Sequence, residues 1–136
     1  MATFTSDMVS GNQSFKPFPS GAVVVRKGKI TISAAPNAAD VYQMVDVFAG
    51  ETVHDVKLKS SDLDGGTALV WDVGDGSDPD YYIDGSTAGQ TGVGDDMDAN
   101  VVPKEYTADD TIDITCQVAP GSDVATGTLE LWIYIS

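Results

Sequence analysis

The chain has few of the residues on which common catalytic and metal sites depend. Its 136 residues include one cysteine, Cys116, and one histidine, His54. One cysteine excludes an internal disulfide, and one Cys with one His excludes a tetrahedral zinc site built from those ligands. No serine lies in a nucleophile-elbow motif, so His54 is expected in the core or at an interface rather than in a catalytic triad. Cys116 lies in an alternating apolar segment, where we expect a buried, unreactive thiol.

Long hydrophobic runs are also missing. No segment reaches the roughly 20 apolar residues that a membrane-spanning helix requires. The N-terminal sequence MATFTSDMVSGNQSF has neither the basic start nor the apolar centre of a signal peptide. We therefore expect no membrane partner, and we expect the protein to be made in a cytoplasm.

Basic residues are scarce and unevenly distributed. The chain has 7 Lys and Arg against 21 Asp and Glu, which gives a formal net charge of −14. Six of the bases precede Asp62, whereas sixteen acids and a single base, Lys104, lie from Asp62 onward. Nucleic-acid binding needs clustered Lys and Arg, so we expect no nucleic-acid partner. The acidic part of the chain is expected to face solvent.

Helical periodicity is lacking, while alternation of apolar and polar residues recurs along the chain. Fourteen glycines and six prolines separate segments rich in Val, Ile and Thr, which is typical of an all-β protein with many turns. We predict a jelly-roll-like β-sandwich of about eight antiparallel strands, because two sheets closed over one core cover both inner faces. The sandwich would cover residues 21–136, and an extended N-terminal arm would cover residues 1–20.

The segment 67–85, TALVWDVGDGSDPDYYIDG, combines a core strand with an acidic loop. Leu69, Trp71 and Val73 share one face, which predicts a strand with a buried tryptophan. Carboxylates are the ligands that calcium prefers, and the loop supplies several of them. The candidate ligands are Asp75, Asp78 and Asp80. Their spacing does not match an EF-hand loop, so we favour a solvated turn and predict no metal and no cofactor.

Other segments have patterns that predict strands and their faces. Residues 22–34 are rich in strand formers and are interrupted at 27–29, where we predict a hairpin turn or a bulge. In residues 53–60, His54 would face inward with Val56 and Leu58. In residues 111–118, Val118 would face inward with Ile112, Ile114 and Cys116, and Asp113 outward. Residues 86–100 show no pattern and predict a long loop.

The last alternating segment, 128–135, has aliphatic residues on one face and aromatic residues on the other. We expect the aliphatic face to point into the core, which turns Trp132 and Tyr134 outward beside Glu130. Large outward aromatic residues indicate a protein interface, unless the arm or a loop covers them. With His54, they are our candidates for contacts between subunits.

The first twenty residues predict an arm rather than a strand, because Pro17 and Pro19 block ladder pairing. Two interpretations are open. The arm lies as a strap over its own sandwich, or it reaches a neighbouring subunit or another protein. Its candidate partner-binding residues are Phe4, Met8, Val9, Phe15, Lys16 and Phe18.

The segment from Ala39 to Gly85 resembles small structural proteins of tailed bacteriophages. In those proteins a strand, an AGE-type turn, a second strand and a loop similar to GDGSDPDYYIDG follow in this order. The chain is similar in particular to capsid decoration (cement) proteins with a jelly-roll fold. The resemblance implies a homotrimer on the outer surface of the virion, where it would bind the major capsid protein and stabilise contacts between capsid subunits. It implies no catalytic residues.

Two further functions stay open on the sequence. A tail-associated adsorption or carbohydrate-binding module would stack sugars on exposed aromatic residues, for which the candidates are Trp132, Tyr134, Tyr81 and Tyr82. A calcium-dependent adhesin-like sandwich would use the acidic loop. Neither is an enzyme, and a sandwich of this size with its acids mainly in loops has little room for a substrate cleft between paired carboxylates.

Overall fold

The computed structural model describes residues 1–9, 22–121 and 126–136 and shows a two-sheet β-sandwich. The strands are β1 (Thr3–Thr5), β2 (Val24–Ile32), β3 (Val41–Val47), β4 (Thr52–Ser60), β5 (Val70–Gly74), β6 (Ile83–Ser86), β7 (Gly94–Asp96), β8 (Lys104–Glu105), β9 (Asp110–Val118) and β10 (Gly127–Ile135). One short 3₁₀ helix spans Ala88–Gln90. The all-β prediction is confirmed, with ten strands instead of about eight. No helix in the described residues could cross a membrane.

The two sheets are named by their central strands. The β9 sheet has the order β1-β3-β9-β5-β6, and the β10 sheet has the order β2-β10-β4-β7, with β8 also paired to β4. All pairs are antiparallel except β1 with β3. In the described part of the chain, most connections cross from one sheet to the other, and β5–β6 is the hairpin within the β9 sheet. Strands that follow one another in sequence thus mostly lie in different sheets of the sandwich.

The core lies between the sheets and consists of their inward apolar side chains. The inward positions predicted for the strand around Trp71 and for the last strand are all fully buried: Leu69, Trp71, Val73, Leu129, Leu131, Ile133 and Ile135. Each large apolar side chain stabilises the fold by roughly 1.5–3 kcal/mol when it is fully buried. Cys116 is buried as predicted, and burial raises the pKa of its thiol to about 12, so the reactive thiolate is disfavoured.

β2 runs unbroken through Gly28, so the turn or bulge predicted at residues 27–29 is wrong. The glycine allows β2 to approach the other sheet closely. A Cβ atom at Gly28 would lie 1.9 Å from the backbone oxygen of Met44 and 2.8 Å from Oγ of Ser6. A close approach and a turn both require glycine, and the local sequence does not distinguish them.

The prediction that residues 1–20 are an arm without strand structure is wrong for the first residues. β1 pairs in parallel with β3 and lies at the edge of the β9 sheet. Phe4 stacks on Tyr42 with 4.8 Å between the ring centroids, and Met8 is buried in the core. Val9 is half-buried. The described start of the chain therefore packs as a strap on its own sandwich.

Asp7 connects this strap to the β10 sheet. Its backbone N–H donates to the carbonyl of Lys29, and its carboxylate accepts from the backbone N–H of Lys29 at 2.8 Å. The other candidate residues of the arm, Phe15, Lys16 and Phe18, lie outside the described residues.

Two strands present faces that differ from the prediction. In β4 the buried residue is Val53 rather than His54, because the register between β4 and β10 shifts near Tyr134. In β9, Val118 is 42% exposed instead of inward, where the pairing with β5 also shifts register. Asp113, predicted to face solvent, is only 7% exposed. The predicted loop at 86–100 contains the 3₁₀ helix and β7.

Candidate functional site

The outer face of the β10 sheet combines lysines with two large aromatic side chains. Successive residues of a strand point to opposite faces, so the outward positions of three neighbouring strands form one surface. We call it the lysine face, and it consists of Val25, Lys27, Lys29, Asp55, Lys57, Lys59, Glu130, Trp132 and Tyr134. Trp132 pairs across the sheet with Lys27 and Lys57, and Glu130 pairs with Lys29 and Lys59. The predicted outward direction of the two aromatic residues is confirmed.

Trp132 lies at the centre of the lysine face and is held there by polar contacts. Its Nε1–H donates to Oε1 of Glu130 at 2.5 Å. The ammonium of Lys59 lies 4.3 Å from the ring centroid and that of Lys27 lies 5.7 Å away. Cation–π contacts of this kind contribute about 0.5–1 kcal/mol each at exposed sites. The indole ring is therefore held between one carboxylate and two ammonium groups.

The lysine face concentrates the scarce bases of the chain. Four of the seven Lys and Arg residues lie on it, with the carboxylates of Asp55 and Glu130. Asp96 at its border pairs with Lys57 at 2.9 Å. Lys29 and Lys59 are exposed, and the Lys27 side chain is 55% exposed. The exposed ammonium groups on this face favour an anionic partner surface.

Two other bases serve the fold instead. Arg26 is buried, and its guanidinium donates two hydrogen bonds to the carboxylate of Glu51, at 2.7 and 2.5 Å. Lys104 contacts Asp75 at 2.6 Å. Both pairs lie away from the lysine face.

His54, our third candidate for contacts between subunits, lies outside the lysine face. It is half-buried in β4, and its Nε2 lies 2.7 Å from Oγ of Ser136. Asp55, the next residue, points to the outer face beside Tyr134. A role for His54 between subunits stays a prediction.

The acidic loop directs its central carboxylate toward the protein. Asp75 is buried and accepts hydrogen bonds from Lys104 Nζ at 2.6 Å and from the hydroxyl of Tyr106 at 2.7 Å. The backbone N–H groups of Ser77 and Asp78 donate to the same carboxylate. Burial raises the pKa of Asp75, but these donors outweigh it and lower the pKa to about 2.

The other candidate calcium ligands do not complete a site with Asp75. A side-chain hydrogen bond with the neighbouring carboxyl of Asp80 raises the pKa of Asp78, and desolvation and the negative charge of Asp80 add to this effect. Across residues 1–9, 22–121 and 126–136, no three His, Cys, Asp or Glu side chains are placed to hold a metal ion. The chain's own donors therefore satisfy the carboxylate at the centre of the loop.

Several acids that were expected to face solvent are buried: Asp64, Asp72, Asp75 and Asp113. Burial raises the pKa of Asp64, but four backbone N–H donors outweigh this effect and hold the pKa well below its ordinary range. The donors belong to Gly66, Leu69, Ala68 and Gly121. Asp followed by two glycines is a turn signal that could have indicated this role. No comparable local signal marks Asp113.

The aromatic residues proposed for sugar stacking do not form one platform. Tyr82 is fully buried, with its hydroxyl 2.6 Å from that of Tyr106, so this candidate is wrong. Tyr81 is half-buried and donates its hydroxyl to the carbonyl of Val102, while Lys104 lies over its ring. Trp132 lies on the lysine face, where ammonium groups occupy the space over its ring.

A cavity of about 360 Å³ adjoins one end of the lysine face. Its lining includes Lys59, Thr128 and a single carboxylate, that of Glu130. The paired carboxylates of a glycosidase are therefore lacking in this cavity.

Three solved structures of phage capsids contain chains with this fold. A chain of the capsid of Ralstonia phage GP4 matches with a TM-score of 0.81 and 24% identity, over 98% of this chain and 97% of that one. A chain of the cyanophage Pam1 capsid matches with a TM-score of 0.73 and 21% identity, over 91% and 94%. A chain of the acid-stable capsid of Helicobacter pylori bacteriophage KHP30 matches with a TM-score of 0.55 and 15% identity, over 83% and 91%. No family model and no curated protein matches the sequence.

Proposed function

We propose that this chain is a structural protein of a phage virion, a capsid decoration (cement) protein that binds the outer surface of the head as a homotrimer and stabilises contacts between major capsid subunits. One observation carries the proposal. The chain matches a chain of similar length in a phage capsid over nearly its full extent, with 98% and 97% of the two chains covered.

The architecture supports a role in binding. The inward rows of both sheets close over an apolar core. The cavity beside β10 contains one carboxylate, and that carboxylate is bonded to Trp132. What the fold offers to other molecules is its outer faces and its loops.

The proposal gives the arm residues Phe15 and Phe18 a role in binding the capsid. Burying Phe15 and Phe18 against a partner would stabilise the complex by roughly 1.5–3 kcal/mol each. Two such anchors give a single arm a modest affinity. Three arms on one trimer act at a high effective concentration, and this multivalency raises the affinity.

The first prediction concerns assembly. Light scattering of the purified protein should give the mass of a trimer. The protein should also cosediment with capsids of the phage that encodes it and raise their melting temperature. Its copy number per virion should be comparable to that of the major capsid subunit. A monomer that does not bind capsids would contradict the proposal, and a copy number far below that of the capsid subunit would favour the tail-associated alternative.

The second prediction concerns the arm. Substituting both Phe15→Ser and Phe18→Ser should weaken capsid binding by at least about tenfold, because two apolar anchors are lost from each subunit. The melting temperature of the free protein should stay within a few degrees of the wild type. Deleting residues 1–20 is a poorer test, because the deletion removes β1 and the buried Met8.

Phe4 was a candidate for partner binding, but it packs on Tyr42 of its own sandwich, and we therefore propose that it does not contact the capsid. The matched control is Phe4→Ser, which removes this 40% exposed phenylalanine. It should lower stability modestly and leave capsid binding nearly unchanged. Full capsid binding by the Phe15 and Phe18 double variant would refute the role of the arm.

A further inference from the structure

We propose that the lysine face is the surface that docks on the capsid, and that its partner is a carboxylate-rich surface of the major capsid subunit. The inference rests on the proposed function and specifies the partner of one face. It is carried by the placement of Lys27, Lys29, Lys59 and Trp132 on one side of a strongly acidic molecule.

Charge is distributed unevenly over the molecule. Outside the lysine face and its border residue Asp96, the chain has eighteen acids and three bases. Five of these acids are buried: Asp40, Asp64, Asp72, Asp75 and Asp113. The remaining acids still outnumber the bases, so the molecule outside the lysine face is net negative, and among the described surfaces the lysine face is the one that attracts an acidic partner. Such an uneven charge distribution orients the molecule before contact and excludes the other orientations.

The lysine face has an aromatic residue at its centre. Trp132 is a rigid aromatic centre, fixed by Glu130 and flanked by lysines from both neighbouring strands. Val25 on the same face is 47% exposed. Protein interfaces often have a tryptophan at the centre and charged groups at the rim, and the lysine face has this arrangement.

A second copy of this chain fits the face poorly. Two lysine faces brought together would oppose like charges, which costs free energy. The other broad sheet surface, the outer face of the β9 sheet, lies on the opposite side of the sandwich. A contact between opposite faces of successive copies makes an open stack rather than a closed trimer. A contact between the lysine face and an acidic edge of a second copy is the alternative that the cross-linking experiment below tests.

Nucleic acid also fits poorly. Glu130 lies among the lysines at the centre of the face, and Lys27 Nζ is 3.8 Å from its carboxylate. A phosphate chain crossing the face would meet this carboxylate as well as Asp55. A protein surface can place donors against Glu130 and carboxylates against the lysines, which phosphates alone do not provide.

The test compares two variants with equal net charge. Lys27→Gln with Lys59→Gln removes two charges from the lysine face. Asn100→Asp with Gln117→Glu changes the net charge by the same amount at exposed positions elsewhere. With capsids assembled without this protein, the lysine variant should bind at least about tenfold more weakly at low salt and with a flatter salt dependence. The control should bind like the wild type, and melting curves establish that both variants fold.

Carbodiimide cross-linking identifies the partner, because it joins a lysine to a carboxylate in contact with it. Peptide mapping of decorated capsids should find Lys27, Lys29 or Lys59 linked to Asp or Glu of the major capsid subunit. Links to a second copy of this chain would overturn the inference in favour of a subunit interface. A DNA mobility shift by the wild type that the lysine variant loses would overturn it in favour of nucleic acid.

The outcomes separate the inference from the proposed function. If the wild type does not bind capsids, the proposed function fails and the inference fails with it. If the wild type and the lysine variant bind capsids equally, the protein decorates capsids through another surface and only the inference is overturned.

Discussion

Replacing Asp113 by Asn should raise the free energy of unfolding by about 2–4 kcal/mol near pH 8 and leave it almost unchanged near pH 4. Asp113 lies on β9 and is only 7% exposed. Burial raises the pKa of its carboxyl from 3.8 to about 7, and the negative charges of Asp110 and Asp75 add to this effect. The hydroxyl of Thr111 donates to Asp113 at 2.6 Å and offsets only part of the shift.

The sign follows from which state loses its proton first. Between the unfolded pKa near 4 and the folded pKa near 7, the unfolded chain has released the proton of Asp113 and the folded chain still holds it. The free energy of unfolding therefore falls by about 1.4 kcal/mol for each pH unit in this window. Below the window both states are protonated and the residue contributes nothing. Asn keeps an oxygen that accepts from Thr111 and carries no proton to lose.

Chemical denaturation at a series of pH values measures this effect, with Asp84→Asn as the control. Asp84 is exposed, so its substitution removes the same charge without relieving burial and should change stability by less than about 0.5 kcal/mol. Equal stabilisation by Asp113→Asn at pH 4 and pH 8 would show that the effect is unrelated to ionisation.

Alternation of apolar and polar residues predicted the core well. Successive side chains of a strand point to opposite faces of the sheet, so once one residue is known to be buried, every second residue is expected to be buried as well. This accounts for Trp71 and for the aliphatic row of β10, both of which are buried as expected. The same logic failed where a register shift moved the pattern, at Val53 in β4 and at Val118 in β9. Register shifts are set by the partner strand, which the local pattern does not contain.

The lysine face depends on long-range pairing in the same way. Alternate lysines at 27 and 29 and again at 57 and 59 are visible in the sequence, as is the outward Trp132. They become one surface because β10 pairs with β2 on one side and with β4 on the other. β1 was missed for a related reason, since a strand of three residues is defined by its pairing with β3 and not by its own composition.

Replacing Asp75 by Ala should lower the free energy of unfolding by about 3–5 kcal/mol near pH 7, because it leaves a partly buried ammonium and a buried hydroxyl without their acceptor. Those groups belong to Lys104 and Tyr106, at 2.6 and 2.7 Å from the carboxylate. The pKa of Asp75 is lowered to about 2 in the folded state, so its ionised form stabilises the fold above the unfolded pKa near 4. This contribution is lost as the pH falls toward 2, and the cost of the substitution should shrink there by about 2 kcal/mol.

The exposed Asp80 of the same loop provides the matched control, and Asp80→Ala should change stability by less than about 0.5 kcal/mol. If both substitutions cost the same, the network around Asp75 does not stabilise the loop.

The same network bears on calcium, because an ion at Asp75 would have to displace Lys104 from a contact that already neutralises the carboxylate. We therefore expect the melting temperature of the wild type to be the same in calcium and in EDTA. A calcium-dependent increase that Asp75→Ala abolishes would show that the loop binds a cation in place of the lysine.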